Sequence, residues 1–153
     1  MSSPARQQAI LLLCGFFLLI DQALKWLALN RWTQPRLLNR FFGWEPFHNP
    51  GIAFGVPIPT SLVLALTLPI LMALAFFIYK KIRVSNDSHL EVAALGLLLV
   101  GALSNTVDRL RFSFTVDYFR IAYSIFNLAD VLILLGFVIY LLGQKKKKTS
   151  SFF

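Results

Sequence analysis

FNLADVLILLGFVIYLLG, residues 126–143, is apolar almost throughout, yet it carries one acid near its head. That acid is Asp130, with Asn127 one helical turn before it. About 20 mostly apolar residues make a helix that crosses a membrane. An ionised carboxylate in such a helix costs on the order of 2.5–3.5 kcal/mol even on the mildest insertion scale. The stretch therefore predicts both a membrane span and a reason for a buried acid.

With its flank the fourth window extends to roughly 122–143, and three more qualify at roughly 9–29, 61–79 and 90–110. The third is the weakest, because its apolar part stops near Leu103. Pro69 is expected to kink the second, which neighbouring helices tolerate. No internal repeat is visible. The expected fold is an all-α membrane protein: one domain over 1–153, with four transmembrane helices and a basic tail at 144–153. Residues 30–60 form the longest connection, and 112–121 a short one. The longer segment mixes Trp32, Phe41, Phe42, Trp44 and Phe47 with arginines. Rings and guanidinium groups both suit the headgroup layer, so a small surface-lying subdomain with room for short strands is expected there.

Composition agrees. Of 153 residues 57% are hydrophobic and only 14% charged, with mean hydropathy +0.67. A soluble domain carries about a quarter charged residues. The net charge of +8 would suggest nucleic acid in a soluble protein. Here the basic residues flank apolar runs, so anionic lipid is the expected partner and nucleic acid is not. The single cysteine, Cys14, excludes an internal disulfide and a thiolate metal cluster. Leu-Leu-Leu-Cys14 superficially resembles a lipoprotein processing site, but the apolar run continues well past it, so Cys14 reads as a small helix residue.

Four spans place both termini on one side. Arg6, Lys80, Lys81, Arg83 and Lys145 to Lys148 then face Arg31, Arg36, Arg40, Arg111 and Arg120, eight basic residues against five. The positive-inside rule puts the termini in the cytoplasm and the 30–60 subdomain outside. Of seven acidic residues, five (Asp21, Glu45, Asp108, Asp117, Asp130) then map to the outer side, and Asp87 and Glu91 to the inner. Ionisable groups inside a membrane protein are functional candidates by default.

Each candidate also has a plain reading. Asp21 and Lys25, four apart, share a helix face and can neutralise each other. Asn105, Asp108 and Arg109 share another, and Asp108 with Arg109 is expected to form a structural ion pair. His48 reads as a surface loop residue, and His89 falls on the inner side. Asp117 and Asp130 are left; Arg120 lies three after Asp117, but that segment need not be helical. Two carboxylates close together cannot both ionise cheaply and so share a proton. One can then take a proton from water while the other donates to a carbonyl oxygen or leaving nitrogen, which is peptide hydrolysis without a covalent intermediate. Two unrelated helix-end aspartates remain the alternative on these grounds. Two histidines on opposite sides and no H-E-x-x-H argue against zinc, and no G-x-S-x-G, P-loop or dinucleotide fingerprint is present. A Ser/His/Asp site using His48 with Ser104 or Ser124 has no local support.

At these residues the sequence resembles the signal peptidase II (prolipoprotein signal peptidase) family of bacterial membrane aspartyl proteases. DQALKW at 21–26 resembles its D-x-x-x-K, HNPGIAFG at 48–55 its N-x-G-x-A-F, and GALSNTVDRLRF at 101–112 its G-x-x-x-N-x-x-D-R. TVDYF at 115–119 resembles V-D-F, and FNLAD at 126–130 F-N-x-A-D. Each pattern is weak alone; five in order are specific. The resemblance implies cleavage of signal peptides from lipidated prolipoproteins, N-terminal to a diacylglyceryl-modified cysteine. It implies Asp117 and Asp130 as the catalytic pair, and Asp21, Lys25, Asn49, Gly51, Asn105, Arg109, Asn127 and Ala129 as residues that bind substrate or shape the site. It implies no cofactor or metal, and a place in the bacterial cytoplasmic (inner) membrane with the active site toward the outer face. A monomer is expected. Ser104 stands where the family often has Gly, and Val131 where Ser is frequent. A proton- or ion-coupled transporter is the main alternative, but such sites usually lie near the midplane. A non-catalytic assembly subunit is a third reading and would not require both aspartates.

Overall fold

The computed structural model describes residues 3–52, 56–84 and 89–150. Ala53, Phe54 and Gly55 of the HNPGIAFG match, Asp87, and the end of the basic tail lie outside the described residues. Among the described residues four helices are long and apolar enough to cross a membrane: α1 (Ser3–Asn30), α2 (Thr60–Val84), α3 (His89–Phe112) and α4 (Leu128–Ser150). Pro69 lies within α2, which is assigned as one continuous helix.

The third window, whose apolar part stops near Leu103, is the centre of the bundle. Within its apolar window α3 is 56% buried, against 17% for each of the other three spans. The other three helices pack against it. Helix association in lipid relies on close backbone approach, because the tails are as apolar as leucine. Gly101 and Gly136 supply that approach between α3 and α4: a Cβ on Gly101 would lie 2.6 Å from the Ala129 carbonyl oxygen, and one on Gly136 2.6 Å from that of Ala94. Cys14 packs against Gly96 of α3 and belongs to a buried apolar cluster with Val100 and Leu132.

The surface subdomain expected between helices 1 and 2 contains two strands, β1 (Arg36–Asn39) and β2 (Phe42–Asn49). They belong to a four-stranded antiparallel sheet of order β1-β2-β3-β4, completed by β3 (Thr115–Ile121) and β4 (Ser124–Phe126) from the α3–α4 connection. Residues 122–127, which hydropathy assigns to the fourth helix, are thus turn, strand and helix cap. Ala122 has φ of 55°, turning the chain between β3 and β4. The sheet is seated by aromatic packing: Trp44 stacks on Tyr118 at 5.0 Å between ring centroids and donates from Nε1 to the Trp32 carbonyl at 2.7 Å. Arg120 grips Glu45 across β2 and β3 with both Nε and Nη2. Beneath the sheet, Val116 and Tyr118 bury against Ala28 near the end of α1.

Candidate active site

Where the sheet meets the bundle, side chains from α1, β2, α3, β3 and α4 converge. The start of α4 shows why the sequence folds as it does here. Asn127 caps the helix and Asp130 is its third residue. Asn127 Oδ1 accepts from the Asp130 amide at 2.9 Å, and the Asp130 carboxylate accepts from the Asn127 amide at 3.2 Å. This is a reciprocal capping box, with Asn and Asp in the roles usually taken by Ser/Thr and Glu. The remaining first-turn amides are also paired. Leu128 N donates to the Tyr118 hydroxyl at 3.0 Å, and Ala129 N to Asp21 at 3.2 Å.

The four aspartates at this end of the bundle divide into two sets. Asp21 and Asp108 both pair with Lys25, whose Nζ lies 2.9 Å from Asp21 Oδ2 and 2.8 Å from Asp108 Oδ2. Lys25 also donates to Asn105 Oδ1 at 2.8 Å and to Ser104 Oγ at 3.2 Å, and it is only 2% exposed. The structural ion pair expected between Asp108 and Arg109 is corrected here. Adjacent residues on a helix point about 100° apart, so Asp108 turns to Lys25 while Arg109 reaches the carbonyls of Gly51 at 3.0 Å and Asn105 at 3.4 Å. Asp108 also accepts from the Val116 amide at 3.1 Å, tying α3 to β3.

Asp117 and Asp130 form the other set. Among the described residues neither makes an ion pair. Asp117 is 1% exposed and accepts from Asn127 Nδ2 at 2.7 Å on one oxygen and from Asn49 Nδ2 at 2.9 Å on the other. Asp130 accepts from Asn105 Nδ2 at 2.9 Å. Asn127 therefore touches both carboxylates, through its amide side chain to Asp117 and through the cap to Asp130. Burial, then the charge of Asp130, push the Asp117 carboxyl up from its ordinary value to about 7, against lowering by the Asn49 and Asn127 hydrogen bonds and by Lys25.

The loop after β2 completes the wall. Register places Asn49 opposite Thr115 and Phe47 opposite Asp117, so Asn49 and Asp117 are diagonal neighbours on one face of the sheet. Asn49 Oδ1 accepts from the Gly51 amide at 3.0 Å. A Cβ on Gly51 would fall 2.0 Å from the Val56 carbonyl oxygen, so only glycine fits there. Ala129 is fully buried at the α3 contact. His48 lies exposed in β2 and stacks on Phe114 at 4.2 Å.

All ten sequence-selected site positions thus lie at one end of the bundle. Three neighbours escaped selection. Gln22 donates to Ser104 Oγ at 2.8 Å and Asp108 at 3.2 Å, Ser104 Oγ donates to Asp21 at 2.5 Å, and the Tyr118 hydroxyl donates to Asp21 at 2.7 Å. Gln22 and Ser104 are uncharged and carry no penalty that would flag them in sequence. Tyr118 reads as a strand aromatic; its position next to Asp117 was the available signal.

Fold and site together define a multi-pass membrane protein with one buried and one half-buried carboxylate, outside any described ion pair, at one end of a four-helix bundle. The architecture matches a solved bacterial membrane enzyme with a TM-score of 0.80, at 24% identity over 94% of this chain and 91% of that one. The family model described as signal peptidase (SPase) II matches residues 13–144. The lipoprotein signal peptidase of Moorella thermoacetica is 35% identical over 134 residues, covering 84% of this chain and 87% of that protein. That of Halothermothrix orenii is 32% identical over 138 residues, covering 84% and 92%. The chain belongs to the signal peptidase II family, and is accordingly a membrane peptidase of the aspartic class.

Proposed function

We propose that the protein removes signal peptides from diacylglyceryl-modified bacterial prolipoproteins, hydrolysing the bond N-terminal to the lipidated cysteine with Asp117 and Asp130 as a water-activating pair. The observation that carries this reading is the division of the aspartates: Lys25 forms ion pairs with Asp21 and Asp108, while Asn127 bridges Asp117 and Asp130. A pair sharing one proton holds a base and an acid at once. The ionised member takes a proton from water as it attacks the scissile carbonyl, and the protonated member donates to the carbonyl oxygen. Collapse then returns a proton to the leaving nitrogen. Asn49, Asn105 and Asn127 orient the pair or the peptide without adding charge. Gly51 and Ala129 leave room for an extended chain.

The substrate is itself a membrane segment with a lipid on its cysteine, so its scissile bond lies near the membrane surface, where water is available. A site at the bundle end, under a sheet rich in aromatic residues and arginine, meets that requirement. By the charge balance of the loops, that end faces outward from the cytoplasmic membrane and the termini face the cytoplasm. One chain carries both aspartates, which is consistent with a working monomer, and membrane lipid surrounds it. The test is to give the purified enzyme in detergent a prolipoprotein with and without its diacylglyceryl group. Mass spectrometry should find the lipidated cysteine as the new N-terminus, with the unlipidated form cleaved at most slowly. Equal cleavage of both forms, or cleavage elsewhere, would contradict the substrate assignment.

A further inference from the structure

Two hydroxyls behind the paired aspartates have no part in the proposed chemistry, and both aim at one carboxylate. Tyr118 donates to Asp21 Oδ1 at 2.7 Å and Ser104 to Asp21 Oδ2 at 2.5 Å. Asp21 is fully buried, so its two oxygens depend wholly on protein donors. Lys25 holds Oδ2 as well, and Oδ1 faces the Ala129 amide at 3.2 Å. The Tyr118 hydroxyl works in both directions, since it also accepts from the Leu128 amide at 3.0 Å. Its ring is fully buried and stacked on Trp44, so the oxygen has little freedom. Burial and the Asp21 charge raise the phenol further above its ordinary value, which keeps it a donor.

Tyr118 directly follows Asp117 on β3, and consecutive strand residues point to opposite faces. The strand thus presents Asp117 on one side and, on the other, grips the helix that carries Asp130. We propose that Tyr118 is a positioning residue: its hydroxyl, with Ser104 on the second oxygen, clamps Asp21 to the first turn of α4 and so holds Asp130 in register with Asp117. This rests on the reading of Asp117 and Asp130 as the reacting pair. Tyr118→Phe keeps the stacked ring and removes both hydrogen bonds. Loosening the turn weakens the coupling between the two carboxyls and brings their macroscopic pKa values together.

The test uses the full chain in detergent with a lipidated prolipoprotein. For Tyr118→Phe, kcat should fall about tenfold or more with KM changed by less than about threefold. The bell-shaped pH profile should narrow, and amide exchange at residues 128–130 should quicken. Ser104→Ala should move the same readouts in the same direction. The double variant should lose less than the product of the two, because both act through Asp21. Parental kcat in Tyr118→Phe, or a lower kcat with unchanged bell width and exchange, overturns the proposal. Where Tyr118→Phe does not fold, Ser104→Ala supplies the same readouts, and parental values in it overturn the proposal equally. Asp130→Asn in the same assay separates the two assignments. If it cleaves like the parent, the pair reading fails; if it is inactive while Tyr118→Phe matches the parent, only the positioning role fails.

Discussion

Asp117 combines near-complete burial with two amide donors and no ion pair among the described residues. Its raised pKa has a consequence for stability. An acid whose folded value lies above its unfolded one binds more protons when native, so stability falls as pH rises between the two values, here from about 3.8 to about 7. Thermal unfolding in detergent should therefore show Asp117→Asn gaining on the parent as pH rises through that window. A constant difference would contradict the shift. Activity should decline above about pH 7, as the shared proton leaves the pair. Lys25 is the opposite case. Lys25→Met strands two buried carboxylates and should cost on the order of 3–5 kcal/mol of stability, read from the same unfolding curves. The Lys25–Asp21 ion pair was legible in the sequence, because i and i+4 share a face. The partner of Asp108 was misassigned, because adjacency in the chain is not adjacency in space.

The first turn of α4 joins the elements. Its amides are satisfied by Asn127, Tyr118 and Asp21, and its backbone lies against Gly101 of α3. Gly101→Ala puts a methyl 2.6 Å from the Ala129 carbonyl oxygen, forcing the turn outward. Overpacking of this kind costs about 1–3 kcal/mol, and here it also moves Asp130. The expectation is a lower unfolding temperature together with a fall in kcat larger than the loss of folded enzyme. An unchanged kcat per folded molecule would show that the turn tolerates displacement. Hydropathy identified the span but not its start, since the apolar residues of 122–126 suit strand and helix alike. The N-x-x-D cap at 127–130 was readable but lay inside an apolar window. The pairing of β3 with β2 is a contact between segments about 70 residues apart, and no local pattern reports it.

Taken whole, the molecule uses α3 as a polar-edged post, with three lipid-facing helices around it and a sheet over one end. The four spans were readable from length and composition because bilayer thickness imposes them, and the surface subdomain because segment 30–60 mixes aromatic residues with arginines. The central place of α3 was not, since its most apolar window matches those of α1 and α4 in mean hydropathy, which therefore does not tell which span the others surround. Sidedness is testable with a membrane-impermeant thiol reagent, the native Cys14 being buried. Leu38→Cys, at a position 89% exposed on β1, should label from the outer side of spheroplasts, and Lys145→Cys only after permeabilisation. The reverse pattern would invert the topology. Everything proposed for the site depends on Asp117 and Asp130 acting as one unit. That unity is read from kcat/KM for Asp117→Asn, Asp130→Asn and the double variant on a lipidated prolipoprotein, each confirmed folded. Each single change should cost about 10²–10⁴-fold and the double no more than the worse single; near-parental cleavage by either single variant, or losses that multiply in the double, would show that the two aspartates do not work as a pair.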